Sequence, residues 1–271
     1  MNAETDQPFP TIDPSPDDAV ERRGRYVLEI DGVEASLGPG LRVGSVSFAM
    51  APGSFELMDA GDRRQAAAFS DLCSGLISPT AGTVRFLGYD WADLPHDYAN
   101  ALRGRIGRVF AGSAWMPHLS LMDNILVQQR HHTRRAEDDL LAEASALARE
   151  FGLPGIPLSP PDEATALDRA RAALVRAFIG NPALILLEHP LQGRFVDLLE
   201  RLVNVIGNAR RRGAAVLWLT LTPTIWAMRG LPTSGRGRLS GTRVPLLRLL
   251  RQGAYGRSVS GRLQGQGLIR A

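Results

Sequence analysis

Residues 171–190, RAALVRAFIGNPALILLEHP, decide the fold. The wider segment 164–182, ATALDRARAALVRAFIGNP, reads as a helix, and ALILL (183–187) follows as an unbroken apolar run. Such a run fits a parallel strand buried on both faces. Working outward, FVDLLERLVNVIGNARRR (195–212) reads as a second helix and AAVLWLTL (214–221) as a second buried strand. Upstream, RIGRVFAG (105–112) is a strand running into a loop. In DDLLAEASALAREF (138–151), Leu140, Leu141, Ala144, Leu147, Ala148 and Phe151 share one helical face, which suits core packing. Further back, SFELMDA (54–60) leads through a polar turn, AGDRR, into the helix QAAAFSDLCSGL, ended by Gly75. Strands alternating with helices predict an α/β core of parallel strands. Before it, YVLEIDGVEA and LRVGSVSFAM alternate apolar and polar residues, as antiparallel strands do.

Composition sets the outer limits. The chain has 271 residues, 44% of them hydrophobic, enough for a sizeable core. All 31 basic residues are arginine; there is no lysine. No run approaches the ~20 apolar residues of a membrane span, and the N-terminus lacks the basic start and apolar centre of a secretion signal. A cytoplasmic location is expected. Cys73 alone cannot form an internal disulfide and reads as a small buried apolar residue. Residues 1–24, with four prolines and six acids, are expected to be a disordered acidic leader. An α/β domain is expected over 25–228, with a helical subdomain near 113–170. Residues 229–271 are expected to form a basic Gly/Arg-rich extension. The last acidic residue is Glu200, and 201–271 hold 13 arginines. That imbalance suits an anionic partner, or reflects an arginine-rich composition with a solvated tail.

Three stretches, in order, carry a family resemblance. SGLISPTAGTVRFLGYD (74–90) is similar to the segment after the phosphate-loop helix in the nucleotide-binding domains of ABC transporters. RIGRVFAGSAWMPHLSLMDNI (105–125) resembles their Q-loop stretch, and RAALVRAFIGNPALILLEHP resembles their signature helix running into Walker B. The resemblance covers about 26–222 and weakens toward 252. It implies a P-loop NTPase-like fold with an N-terminal antiparallel β subdomain and a helical subdomain. NILVQQRHHT (124–133) further resembles a run in the ATPase subunits of MCE/Mla-type phospholipid transporters. His131 and His132 within it read as a solvated helix end rather than a metal site.

The implied chemistry has lost its residues. A working P-loop, G-x-x-x-x-G-K-[ST], cradles phosphates with backbone N–H groups, one lysine and a Mg²⁺-holding hydroxyl. Counting back from Gly75 puts it on Ala60, Gly61, Asp62, Arg63, Arg64, Gln65, Ala66 and Ala67. Ala66 takes the lysine position and Ala67 the hydroxyl position, while Asp62 puts a carboxylate where phosphate belongs. By the same resemblance the adenine-stacking position is Leu37, the Q-loop glutamine Ala111, the Walker B aspartate Glu188 and the catalytic glutamate His189. The switch histidine becomes Leu221 and the D-loop aspartate Phe195. The signature falls on LSPPD (158–162), or without an insertion on Ala164–Asp168. Glu188 reads as a relic or as a structural acceptor at a strand end, and His189 as a tolerated polar residue or a substitute base.

Intact strands around vacated motifs predict an inactive ATPase-like scaffold or regulator in a membrane transport complex, lipid transport being one setting. No cofactor is expected; Mg-ATP belongs only to the alternative of a site rebuilt around arginine with weak ATP hydrolysis. A third alternative is a non-transport module binding anionic partners. The expected partners are an ABC permease, reached through the loop after Met116, and an active ATPase paralogue in a dimer at the inner face of the cell membrane. No strong nucleic-acid signal is present.

Overall fold

The computed structural model describes residues 25–38, 41–112, 114–191 and 198–239. The expected leader (1–24), Phe195 and the stretch 240–271 lie outside the described residues, as does the side chain of Leu37.

Five strands make a parallel sheet in the order β6-β7-β8-β3-β9: β3 (Phe55–Asp59), β6 (Ile106–Val109), β7 (Leu184–Glu188), β8 (Ala215–Thr220) and β9 (Gly235–Arg238). Every residue of β7 and β8 is buried, as their unbroken apolar sequence requires. The strand period of two sorts them cleanly. Ile185, Leu187, Val216 and Trp218 face one apolar cluster; Leu184, Leu186, Leu217 and Leu219 face another.

The first cluster is covered by α3 (Leu121–His132), α4 (Glu137–Glu150), α5 (Ala166–Phe178) and α6 (Leu198–Arg211). Helices α3, α4 and α5 pack on one another. The helical subdomain expected near 113–170 falls on α3, α4 and the start of α5, which continues to Phe178. The second cluster is covered by α1 (Arg63–Cys73) and the antiparallel sheet β2-β1-β4-β5, made of β2 (Leu41–Met50), β1 (Leu28–Gly38), β4 (Ala81–Phe86) and β5 (Tyr89–Asp90). Two short helices, α2 (His96–Arg103) and α7 (Pro223–Ala227), and a 3₁₀ turn at Trp91–Asp93 complete the described elements. No described helix is long and apolar enough to cross a membrane.

Two glycines allow the layers to close. Gly75 has φ +64° as it leaves α1, and a Cβ there would lie 2.4 Å from the Trp91 ring. A Cβ on Gly107 would stand 1.8 Å from the Ala177 carbonyl oxygen, so α5 seats directly on β6.

One boundary moves. Gly235–Arg238 falls in the expected basic extension, yet it is the edge strand of the core sheet, parallel to β3. Arg238 pairs with Asp59 at 2.9 Å. A GRGR sequence carries no strand pattern; it is held by backbone bonds to β3, which a side-chain pattern does not reveal.

Candidate functional site: the vacated phosphate loop and its arginine surround

The loop between β3 and α1 sits at the end of the parallel strands, where the resemblance implies a phosphate cradle. Here the chain starts its helix early. Sequence reading begins the helix at Gln65, whereas α1 begins at Arg63 with Asp62 as its cap. The cause is local: an aspartate at the cap position accepts an N–H from the first turn. The Asp62 carboxylate takes the Gln65 N–H at 2.8 Å, and its carbonyl takes the Ala66 N–H at 3.1 Å. Gly61, at φ +71°, gives its N–H to the Asp59 carboxylate, and the Asp62 N–H goes to the Ala60 carbonyl. The N–H groups of Gly61, Asp62, Gln65 and Ala66 are therefore all used within the loop itself. Its negative charge already occupies the positive end of the helix dipole. Ala60 and Ala66 are fully buried, while Arg63 and Arg64 are exposed. The ammonium and the hydroxyl that a nucleotide phosphate needs are missing together, and these four N–H groups are already taken. The residues do not fit Mg-ATP in the usual pose.

At the neighbouring strand end Glu188 is 1% exposed and fully engaged. Its Oε1 accepts from Arg108 Nε at 2.5 Å and its Oε2 from the Ala111 N–H at 2.9 Å. Arg108 also reaches Asp71 at 2.6 Å and the Ala67 carbonyl at 3.1 Å. Of the two readings of Glu188, the geometry realises the structural acceptor. Ala111 contributes a backbone N–H to this network where a side-chain amide was expected by resemblance. Sequence reading missed Arg108 and Asp71. The available signal was an arginine inside an otherwise apolar strand, which demands a buried counter-charge.

His189 takes φ +48°, and its N–H bonds the Leu219 carbonyl at 2.8 Å. Its imidazole is held below the usual histidine range, first by burial and then by the nearby Arg63 guanidinium. It is therefore neutral at physiological pH. Leu221 is half-buried against the second core cluster.

The gapless signature position, Ala164–Asp168, lies at the start of α5; LSPPD (158–162) lies in the turn before it. This helix end is also self-capped. Thr165 Oγ1 accepts the Asp168 N–H at 3.0 Å and donates to Asp168 Oδ2 at 2.8 Å. The loop after Met116 is pinned by the buried Asn124, whose amide bonds the Met116, Leu119 and Ser120 backbone. His131 and His132 pack edge to face at the end of α3, 4.7 Å between ring centres.

Comparison with known proteins follows this geometry. No family model matches the chain. Over 183 residues it is 26% identical to the macrolide export ATP-binding/permease protein MacB of Syntrophobacter fumaroxidans, covering 66% of this chain and 26% of that one. Over 130 residues it is 34% identical to the molybdate/tungstate import ATP-binding protein WtpC of Archaeoglobus fulgidus, covering 48% and 50%. The thiamine import ATP-binding protein ThiQ of Brucella abortus is 29% identical over 157 residues, covering 57% and 62%. The chain thus matches less than two-thirds of the length of each of these relatives. Among solved structures, a dimeric post-hydrolysis state of the ATP-binding cassette MJ0796 bound to ADP and Pi superposes with a TM-score of 0.70. It is 17% identical and covers 83% of this chain and all of that one. An ATP-binding subunit of an ABC transporter gives 0.66 at 19% identity, covering 83% and 90%.

Proposed function

We propose that this chain, an ATP-binding cassette of the ABC-transporter kind by fold and by sequence relationship, is a catalytically inactive subunit. It would serve as a scaffold or regulator of a membrane transport complex. The observation that carries this reading is the self-capped phosphate loop: Asp62 accepts the Gln65 and Ala66 N–H groups, over a buried Ala66 in the lysine position. The well-packed sheet argues that the fold is kept for contacts rather than chemistry. Partners on this reading are a permease, met through the loop held by Asn124, and a second cassette that can be an active paralogue. The dimeric arrangement of the MJ0796 cassette supports pairing. The run 124–133 supports lipid as the transported class. Neither nucleotide nor Mg²⁺ belongs to the working state, which sits at the inner face of the membrane through the permease.

The test is equilibrium binding of Mg-ATP by calorimetry up to millimolar nucleotide, with phosphate release measured in parallel. Absence of both is the expected result. Saturable binding with turnover would overturn the reading and favour a site rebuilt around Arg63 and the neutral His189.

A further inference from the structure

Several arginines of the described chain have a carboxylate beside them. Arg85, Arg108, Arg130, Arg135, Arg171 and Arg238 each sit within ion-pair distance of an aspartate or glutamate. Three of the described arginines outside these pairs, Arg63, Arg169 and Arg176, line one cleft. It lies between the sheet end and α5, encloses about 230 Å³, and is walled by Arg63, Arg169 and Arg176, the Phe110 and Trp115 rings and Ala111. Among the described residues no acidic side chain lines it.

The three guanidiniums are held in different ways. Arg176 packs 4.4 Å from the Trp115 ring centre and 5.4 Å from that of Phe110. It gives one N–H to the Ala114 carbonyl at 2.7 Å, while its Nε is closed off from solvent with no partner. Burial pushes its pKa down to about 10. Arg169 bonds only the Pro161 and Ala164 carbonyls, through one nitrogen. Arg63 makes no hydrogen bond or ion pair among the described residues and is exposed at the start of α1. The far face of Phe110 is stacked on Arg108, 4.5 Å from its ring centre, but that charge is already neutralised by Asp71 and Glu188.

Burying an uncompensated cation costs several kcal/mol, so buried arginines are ordinarily paired. Arg176, largely buried, has no such partner, and Arg169 and the exposed Arg63 add two more positive charges to the same cleft, which is therefore short of an anion. The guanidinium fork matches phosphate and carboxylate oxygens two at a time. The volume is below the ~300–1,000 Å³ of pockets that hold drug-sized ligands, which suits a compact ligand. We propose that this cleft is a binding site for a compact multivalent anion, a phosphate or small dicarboxylate. The anion would be clasped between Arg63 of the core and Arg169 and Arg176 of the helical subdomain. It differs from a phosphate loop in using side chains from two elements rather than the backbone of one.

The test is calorimetric titration of the full chain with inorganic phosphate, pyrophosphate and malonate at low salt. Saturable binding of at least one of them is expected. It should weaken tenfold or more in Arg63→Ala and in Arg169→Ala, and stay unchanged in Arg149→Ala, an exposed arginine outside the cleft. Arg176→Met should abolish it, with circular dichroism reporting whether that variant folds; the Arg63 variant decides the matter if it does not. Preference for pyrophosphate would name a phosphorylated ligand, and preference for malonate a dicarboxylate, and either supports the site. No binding of any of the three at millimolar concentration overturns it. So does binding insensitive to Arg63→Ala, or equally weakened by Arg149→Ala.

Discussion

Replacing Arg108 with methionine should unfold the protein far more readily than replacing Arg108 and Glu188 together. In the native state Arg108 is 10% and Glu188 1% exposed, joined at 2.5 Å. Taking away the guanidinium leaves a buried carboxylate with a single N–H donor, from Ala111. Breaking a buried pair in this way costs about 3–5 kcal/mol. Asp71, one-third exposed, recovers water and adds little. In Arg108→Met/Glu188→Leu the stranded charge is gone, and the main remaining penalty is the Ala111 N–H without an acceptor, about 1–3 kcal/mol. At about 2–4 °C per kcal/mol for a chain of this size, the single variant should melt roughly 10 °C lower and the double only a few degrees lower. Urea unfolding at neutral pH, followed by circular dichroism and by the fluorescence of the buried Trp218, gives both numbers and their coupling. A single variant losing less than about 1 kcal/mol, or a double variant no more stable than the single, would refute the assignment of Glu188 as a structural acceptor that depends on Arg108.

Three further outcomes are expected. Ala66→Lys/Ala67→Ser restores two side chains of the phosphate loop but leaves Asp62 capping α1, so phosphate release should stay at background; clear turnover would show that the cap yields to nucleotide. Glu56 is 7% exposed, with one oxygen unpartnered, and burial raises its carboxyl pKa against the pull of Arg210. A raised pKa means stability is fullest below the unfolded value and is lost as pH rises through the folded one. Glu56→Gln should therefore stabilise at neutral pH, with the gain shrinking toward pH 4 in urea titrations; a gain that grows on acidification would contradict the sign. Gly107→Ala drives a methyl into the Ala177 carbonyl oxygen, 1.8 Å from the Cβ position. It should cost about 1–3 kcal/mol or more by urea unfolding, and a neutral result would mean that α5 is not seated on β6 as described.

Core strands and helices were legible because their signals are local. ALILL and AAVLWLTL announce two-sided burial by composition alone, and the loss of lysine, hydroxyl and glutamine is a plain fact of residue identity. The early start of α1 was also within reach, since Asp62 two residues after a strand is an ordinary helix cap; it was obscured by reading the segment as a phosphate loop. The rest had no local signal. Arg108 meets Glu188 across 80 positions of sequence and Asp71 across 37. Only the parallel register of β6 on β7 brings them together. Likewise β9 is a strand because β3 offers it an edge, and Arg63, Arg169 and Arg176 line one cleft because α1 starts and α5 runs beside the same end of the parallel strands. The sequence by itself determined which segments are buried and which motifs are empty, since hydrophobic period and residue type are properties of neighbours along the chain. The tertiary structure alone decided which charges are answered and which are left facing an open cleft, because charge pairing depends on distance in space.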